Sequence, residues 1–570
     1  MKKFFTLFVS AFLLWSCGSA DTPETLEKYD VVIVGGTVMD GSGQAGRLAD
    51  VAIQNDRVVK IGDLGAYEAT LTVDASGQAV APGFINMLSW APFGLVTDGR
   101  AVSDLVQGVT LEVFGEGMSM GPLSDANKKM MQDRINTMPK PFEVSWTGFG
   151  EYLDFVTEKG VSPNVASFVG ATTVRANVVG YEDRAATEDE LVAMQMEVRT
   201  AMEEGALGVG SSLIYAPAFY ANTEELIALN KAAAEYDGMY ISHMRSEGNR
   251  FLESLDELIT IAREAGVRAE VYHLKAAGQS NWPKMEQAIA KINAARAEGL
   301  AITADVYTYP AGATGLDAAM PPWVQAGGYQ AWADRLKDPD VRAKVLAEMR
   351  TPTDEWENLM MAAGPDGVLL PYFQNPDLKK YTGMTLSAVA ADMGVTPEEA
   401  AIDLVIADGT RVSAIYFLMS EENIRRQIKE PWVSFGSDAD AMDPAIASQF
   451  GSTHPRGYGN FARVFAKYVR EDGVISVEEA VRRLTHLPAT NLKIRDRGLL
   501  AEGYYADVVV FDPATIQDHS TFENPHALST GVSHVFVNGT QVVKDGTHTG
   551  ATPGRVVRGA GWTGWKKADK

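Results

Sequence analysis

Between about residue 83 and residue 490, short apolar runs alternate with longer amphipathic ones, and few folds accommodate that rhythm. Val165 to Val169 precedes a helical pattern from Glu188 to Glu204, and Leu207 to Ser211 precedes one from Glu224 to Tyr236. Met239 to Ser242 precedes Arg250 to Ala265, Ala269 to Tyr272 precedes Lys284 to Glu298, and Ala301 to Val306 follows. Strand then helix, repeated, implies a parallel sheet, because each helix must carry the chain back before the next strand can pair. The number of units favours a closed (β/α)8 TIM-like barrel, an α/β fold whose chemistry gathers where the strands end. Residues 325 to 430 break the rhythm and read as an insertion.

The two ends differ from this middle. Tyr29 to Gly36 is a β-branched run closed by paired glycines, and short strand-like runs follow at 51–53, 58–61 and 71–73. Ala506 to Phe511 and Val535 to Val537, the latter before Asn538-Gly539, repeat the pattern. Residues 29–81 plus 495–570 are therefore expected to form a small all-β domain, and residues 82–494 the barrel.

Ahead of both lies a targeting segment. Lys2 and Lys3 precede an apolar run from Phe4 to Trp15, too short to span a bilayer comfortably. Leu14-Trp15-Ser16-Cys17 resembles a bacterial lipobox, which makes residues 1–17 a lipoprotein signal peptide and Cys17 the lipidation site. Residues 18–28 then read as a linker. The expected location is exported and lipid-anchored, periplasmic or on the outer membrane, with membrane contact through the anchor at Cys17.

Cys17 is also the single cysteine among 570 residues, so no intrachain disulfide forms and no thiolate serves an active site. The net charge of −24 argues against nucleic acid as a partner.

Two of the eight histidines stand at strand ends, His243 after Met239 to Ser242 and His273 after Ala269 to Tyr272. They are thirty residues apart, one βα unit, which puts them on neighbouring strands at the mouth of the barrel. Imidazole pairs so placed suit a divalent metal. Lys275 and Arg245 each lie two residues beyond one of these histidines, so an extended backbone would turn both toward the barrel interior. Asp438 follows the apolar run Trp432 to Phe435, with Asp440 two residues on.

Several stretches, in order, resemble one family: VVIVGGTVMDGSG, APGFIN, ISHMRSEG (241–248), VYHLKAAG (271–278), FGSDAD (435–440), HPRGYGNFARVF (454–465) and GLLAEGYYADVVVFDP. The frame is similar to that of the amidohydrolase superfamily, and within it to the N-acyl-D-amino-acid deacylases, or D-aminoacylases. The resemblance implies a β-sandwich made from both chain ends beside a metallo-barrel, with His243 and His273 as metal ligands. It also implies Asp438 as the general base. The His-x-His pair usual after Pro-Gly-Phe-Ile is here Leu88 and Trp90, and Glu116 replaces a cysteine ligand. Glu116, His243 and His273 are then the expected ligands of one zinc ion rather than two.

Lys275, Arg245, Tyr215, Tyr307 and Arg456 are the expected substrate-binding residues. Arg456 is the candidate clamp for a carboxylate, and His454 an expected loop-orienting residue. The implied activity is hydrolysis of a small-molecule N-acyl-D-amino acid to a carboxylate and a free D-amino acid. The alternatives are a dipeptidase or cyclic-amide hydrolase of the same superfamily, or a non-catalytic peptide-binding lipoprotein.

Overall fold

The computed structural model describes residues 1–2 and 26–565 apart from 137 and 139. Residues 3–17 of the proposed signal, Cys17 included, lie outside the described residues. Among those described, no helix is long and apolar enough to cross a membrane.

Eight parallel strands form the barrel: β1 (Phe84–Asn86), β2 (Val109–Phe114), β3 (Asn164–Ser167, continued by Val169–Gly170), β4 (Gly208–Ser212), β5 (Met239–His243), β6 (Arg268–Val271), β7 (Ile302–Val306) and β8 (Val433–Phe435). Each pairs with its neighbour, and Met87 N–H donates to the Phe435 carbonyl at 3.2 Å to close the ring. The strands are buried almost throughout, as two-sided cover by helices and barrel interior requires.

The helices follow from their patterning. In Phe251–Ala265, residues 251, 254, 255, 258, 259, 261, 262 and 265 are buried, one stripe at helical spacing, and Gly266 ends the helix at φ 71°. Burying a leucine such as Leu255 on that stripe contributes roughly 2 kcal/mol. Thr187 and Glu190 form a reciprocal cap at the start of Glu188–Glu203.

The β-domain is one nine-stranded sheet in which Ala79–Pro82 joins the N-terminal strands to the C-terminal ones. It curls back on itself, since Val58 N–H donates to the Tyr504 carbonyl and Arg57 bridges to Tyr505. Between the facing halves lies an apolar core that includes Ile33, Val51, Ile53, Val80, Val508, Val510 and Phe536. A buried polar network fastens it to the barrel. Asp507 pairs with Arg497 and accepts from Asn164, the first residue of β3, at 3.2 Å. The β-domain thus grips the start of the strands, opposite the ends that carry the site.

The interruption of the barrel is displaced from the expected 325–430. Gly312–Gly315 pairs antiparallel with Ser413–Tyr416, and Val368–Tyr372 and Met384–Thr385 complete a separate four-stranded sheet. The excursion therefore spans 312–416. Helix Glu421–Lys429, expected within it, belongs to the barrel: it buries Ile424, Gln427 and Ile428, and Gln427 Nε2 donates to the Leu274 carbonyl at 2.6 Å.

Candidate metal centre and active site

Three groups expected to share an ion converge at the barrel mouth. Glu116 follows β2 between Gly115 (φ 108°) and Gly117 (φ 69°). A Cβ at Gly115 would sit 2.4 Å from the Phe168 carbonyl oxygen, and one at Gly117 2.6 Å from Ser212 Cβ, so only glycines let the backbone deliver Glu116 here. His243 ends β5. His273 lies just beyond β6 in left-handed backbone (φ 33°), its N–H donated to Asp305 Oδ1 at 2.9 Å. Asp438, beyond β8, is likewise left-handed (φ 50°), with its N–H on the Leu88 carbonyl at 2.8 Å. Such conformations are uncommon outside glycine and concentrate at functional sites.

Glu116 Oε1 lies 3.0 Å from both His243 Nδ1 and His273 Nε2. One ligand atom from each of the three residues falls within 4.8 Å of the others, all buried. Two imidazole nitrogens and one carboxylate oxygen make a donor set that fits zinc and leaves coordination positions open, as catalytic sites require. The second Glu116 oxygen accepts from Trp90 Nε1 at 2.7 Å. Trp90 therefore cannot serve as a ligand, but it orients one. Leu88 is fully buried, and its side chain offers no ligand atom.

A fourth buried group was missed from sequence. Glu247, on the loop after β5, faces the outer nitrogens of both imidazoles: Oε1 is 3.1 Å from His273 Nδ1 and Oε2 3.5 Å from His243 Nε2. Lys275 Nζ donates to the same carboxylate at 2.6 Å and lies 2.7 Å from His273 Nδ1. A carboxylate behind a ligating imidazole fixes the ring and its tautomer. Nothing in ISHMRSEG beyond a glutamate four residues after His243 points to this, because the loop has to fold back over its own strand.

The electrostatics agree with the geometry. Burial alone would raise the Glu116 carboxyl, but the imidazoles, His273 foremost, outweigh it and hold it well below the usual range. Burial and Lys275 push His273 down, and the carboxylates of Glu247 and Glu116 override them, lifting it to about 10. The cluster thus favours positive charge between two carboxylates, the setting that suits a bound cation. Burial raises Asp438, opposed chiefly by Arg456, whose Nη1 lies 2.8 Å from Asp438 Oδ2.

The other expected substrate residues divide. Lys275, Tyr307 and Arg456 are brought together: Arg456 lies over the Tyr307 ring at 4.5 Å and Lys275 at 5.7 Å. Tyr307 Oη, and the Nε of Arg456, are buried without a hydrogen-bond partner among the described residues. His454 orients the Arg456 backbone, accepting its N–H at 3.1 Å, as expected. Tyr215 packs edge-on against His243 with ring centroids 5.4 Å apart.

Arg245 is not brought to the cluster. Its guanidinium is spent on Glu257 and on the carbonyls of Phe219 and Ala221, because the chain turns sharply after His243 instead of staying extended. Asp440 also turns away, accepting from Ala441 N–H at 2.8 Å and crowding Gly94.

A barrel with a three-ligand metal centre at its mouth and a β-domain at its foot is the architecture of a metal-dependent hydrolase. Residues 71–543 match the model of the amidohydrolase family. The chain is 33% identical to a D-aminoacylase of Alcaligenes xylosoxydans xylosoxydans, over 93% of its own length and 98% of the relative's. It is 31% identical to an N-acyl-D-aspartate deacylase of the same organism, covering 93% and 95%. Among solved structures it is similar to an N-acyl-D-glutamate deacylase of Bordetella bronchiseptica complexed with zinc and a phosphonate mimic of the tetrahedral intermediate, at 29% identity and TM-score 0.77, covering 93% of this chain and all of that one. The chain belongs to the amidohydrolase family.

Proposed function

We propose that this protein hydrolyses N-acyl-D-amino acids, using one zinc ion held by Glu116, His243 and His273. The observation that carries the reading is the meeting of those three ligands beside Asp438 and the Lys275–Tyr307–Arg456 group. Relatives named as deacylases of D-amino acids support the substrate class. A D-aminoacylase structure described by one-metal activation and second-metal attenuation, 31% identical with TM-score 0.77, supports a single-metal centre.

When bound, zinc supplies a Lewis acid for the amide carbonyl and lowers the pKa of water. The chain's own residues do the rest. Asp438 takes the proton of the attacking water and returns it to the leaving nitrogen. The C–N bond breaks, and the N-acyl amino acid and water become a carboxylate and a free D-amino acid. Arg456 and Lys275 hold the substrate carboxylate, and the free Tyr307 hydroxyl donates to the bound amide or acid.

The test is turnover of N-acetyl-D- and N-acetyl-L-amino acids alongside metal analysis. Wild type should carry about one zinc and release D-products, Asp438→Asn should keep the zinc and lose at least about a thousandfold in kcat, and the His243→Ala, His273→Ala double variant should lose both. Release of L-products only would sink the proposal. We also propose, from the first seventeen residues, that the protein is exported and anchored through Cys17. Cys17→Ala should leave the membrane fraction, and unchanged fractionation would refute the anchor.

A further inference from the structure

The 312–416 excursion reaches the support of the metal centre through the Glu357 side chain. Its segment 351–362 runs beside the loop after β5, and a cavity of about 520 Å³ lies between them, lined by Arg245, Ser246 and Gly248 on one side and Glu357 on the other. Across it, Glu357 Oε1 accepts from Ser246 Oγ at 2.8 Å and from the backbone N–H groups of Glu247 and Gly248. Three donors converging on one carboxylate oxygen gather the turn into an anion-holding concavity. A Cβ at Gly248 would meet that oxygen at 3.0 Å, so a side chain there would press on the contact. Glu357 Oε2 is buried with no partner among the described residues.

The turn so held is the one that aims Glu247. Its backbone is tied on the other side by Ala277, whose N–H donates to the Glu247 carbonyl at 2.7 Å, and its carboxylate then meets Lys275 and the two imidazoles. Ser246 and Glu247 are buried, and the Glu357 carboxylate adds the bonds that hold their backbone from the side of the inserted domain.

We infer that Glu357 is a positioning residue: by gathering residues 246–248 it sets Glu247 behind His243 and His273, so that the inserted domain governs how tightly the metal centre holds its ion. The inference rests on the metal-centre reading above and is independent of the substrate. Loss of a carboxylate directly behind a metal-ligating histidine costs about 10- to 100-fold in affinity, and Glu357 acts one residue further out, so the lower end is expected.

The experiment uses the purified chain, as wild type, Glu357→Ala and Glu357→Gln. It measures the zinc dissociation constant by chelator competition, the visible spectrum with cobalt(II), and melting of the metal-free protein. Glu357→Ala should weaken zinc about tenfold and alter the cobalt bands. Glu357→Gln should restore both, because its carbonyl oxygen can accept the same three bonds. Should Glu357→Ala fold poorly, Gly248→Ala presses a methyl on the same contact and should weaken zinc likewise. Wild-type zinc affinity in Glu357→Ala, or in Gly248→Ala where that variant replaces it, overturns the inference, as does a glutamine variant that behaves like alanine. A chain that binds zinc with this pattern but cleaves no N-acyl-D-amino acid would overturn the proposed substrate and leave the positioning role intact.

Discussion

Glu270 and Glu247 belong to neighbouring βα units of the barrel and are both buried, yet they ionise in opposite directions. Glu270, inside β6, is met only by neutral donors: Thr303, Ser434 at 3.3 Å and Asn491 at 3.0 Å. Burial dominates and pushes its carboxyl up to about 7. Glu247, at the mouth, faces the same burial, but His243, Lys275 and His273 hold it far below the ordinary range. Depth in the barrel does not decide which acids are charged; the company of cations does. Burial likewise raises the carboxyls of Asp104, Glu112 and Asp305. At the end that binds metal, the carboxyls packed against the imidazoles, Glu116 and Glu247, are held low, while burial still raises Asp438.

The comparison breaks most visibly at Glu247. Replacing it by alanine leaves the Lys275 ammonium buried without its carboxylate and both imidazoles without their outer support. Breaking a buried pair in this way costs about 3–5 kcal/mol, and zinc affinity should fall about 10- to 100-fold. Thermal melts and chelator competition read both losses. Unchanged zinc affinity would mean that the mouth does not depend on this acid.

A smaller effect sharpens the other half. Because the folded-state pKa of Glu270 is raised above its unfolded value of about 4.5, its neutral form is the stabilising one. That contribution is fully present below about pH 4.5 and is lost as pH rises through about 7. Glu270→Gln should therefore gain on wild type between pH 5 and pH 8, by on the order of 1–3 kcal/mol in denaturant unfolding. A difference that stays constant with pH would show that Glu270 is ionised throughout and that burial does not rule the floor.

Much of this was legible along the chain. The helix expected at Glu188 to Glu204 is observed at Glu188–Glu203, and the strand expected at Met239 to Ser242 at Met239–His243. Alternating strand and helix periods are local properties, so they can be read locally. His243 and His273 were found because strand ends are visible and the barrel places strand ends together. Glu116 needed the family resemblance, since a carboxylate between glycines also reads as a turn. Arg245 was misplaced because extrapolating an extended strand two residues past its end ignores where the chain turns. Glu247 and Glu357 escaped for a different reason. Their partners are brought to them across as much as 111 residues of sequence, and no local pattern encodes such a contact.

The sequence alone determined the barrel, the all-β ends, the paired histidines and the absence of any thiol from the site, because periodicity and composition act residue by residue. Only the tertiary structure decided that Glu247 backs both imidazoles, that Trp90 orients Glu116 and that an inserted domain reaches the metal centre. Hydrogen bonds and ion pairs of that kind depend on a few tenths of an ångström between distant segments, a distance set by the packing of the whole chain.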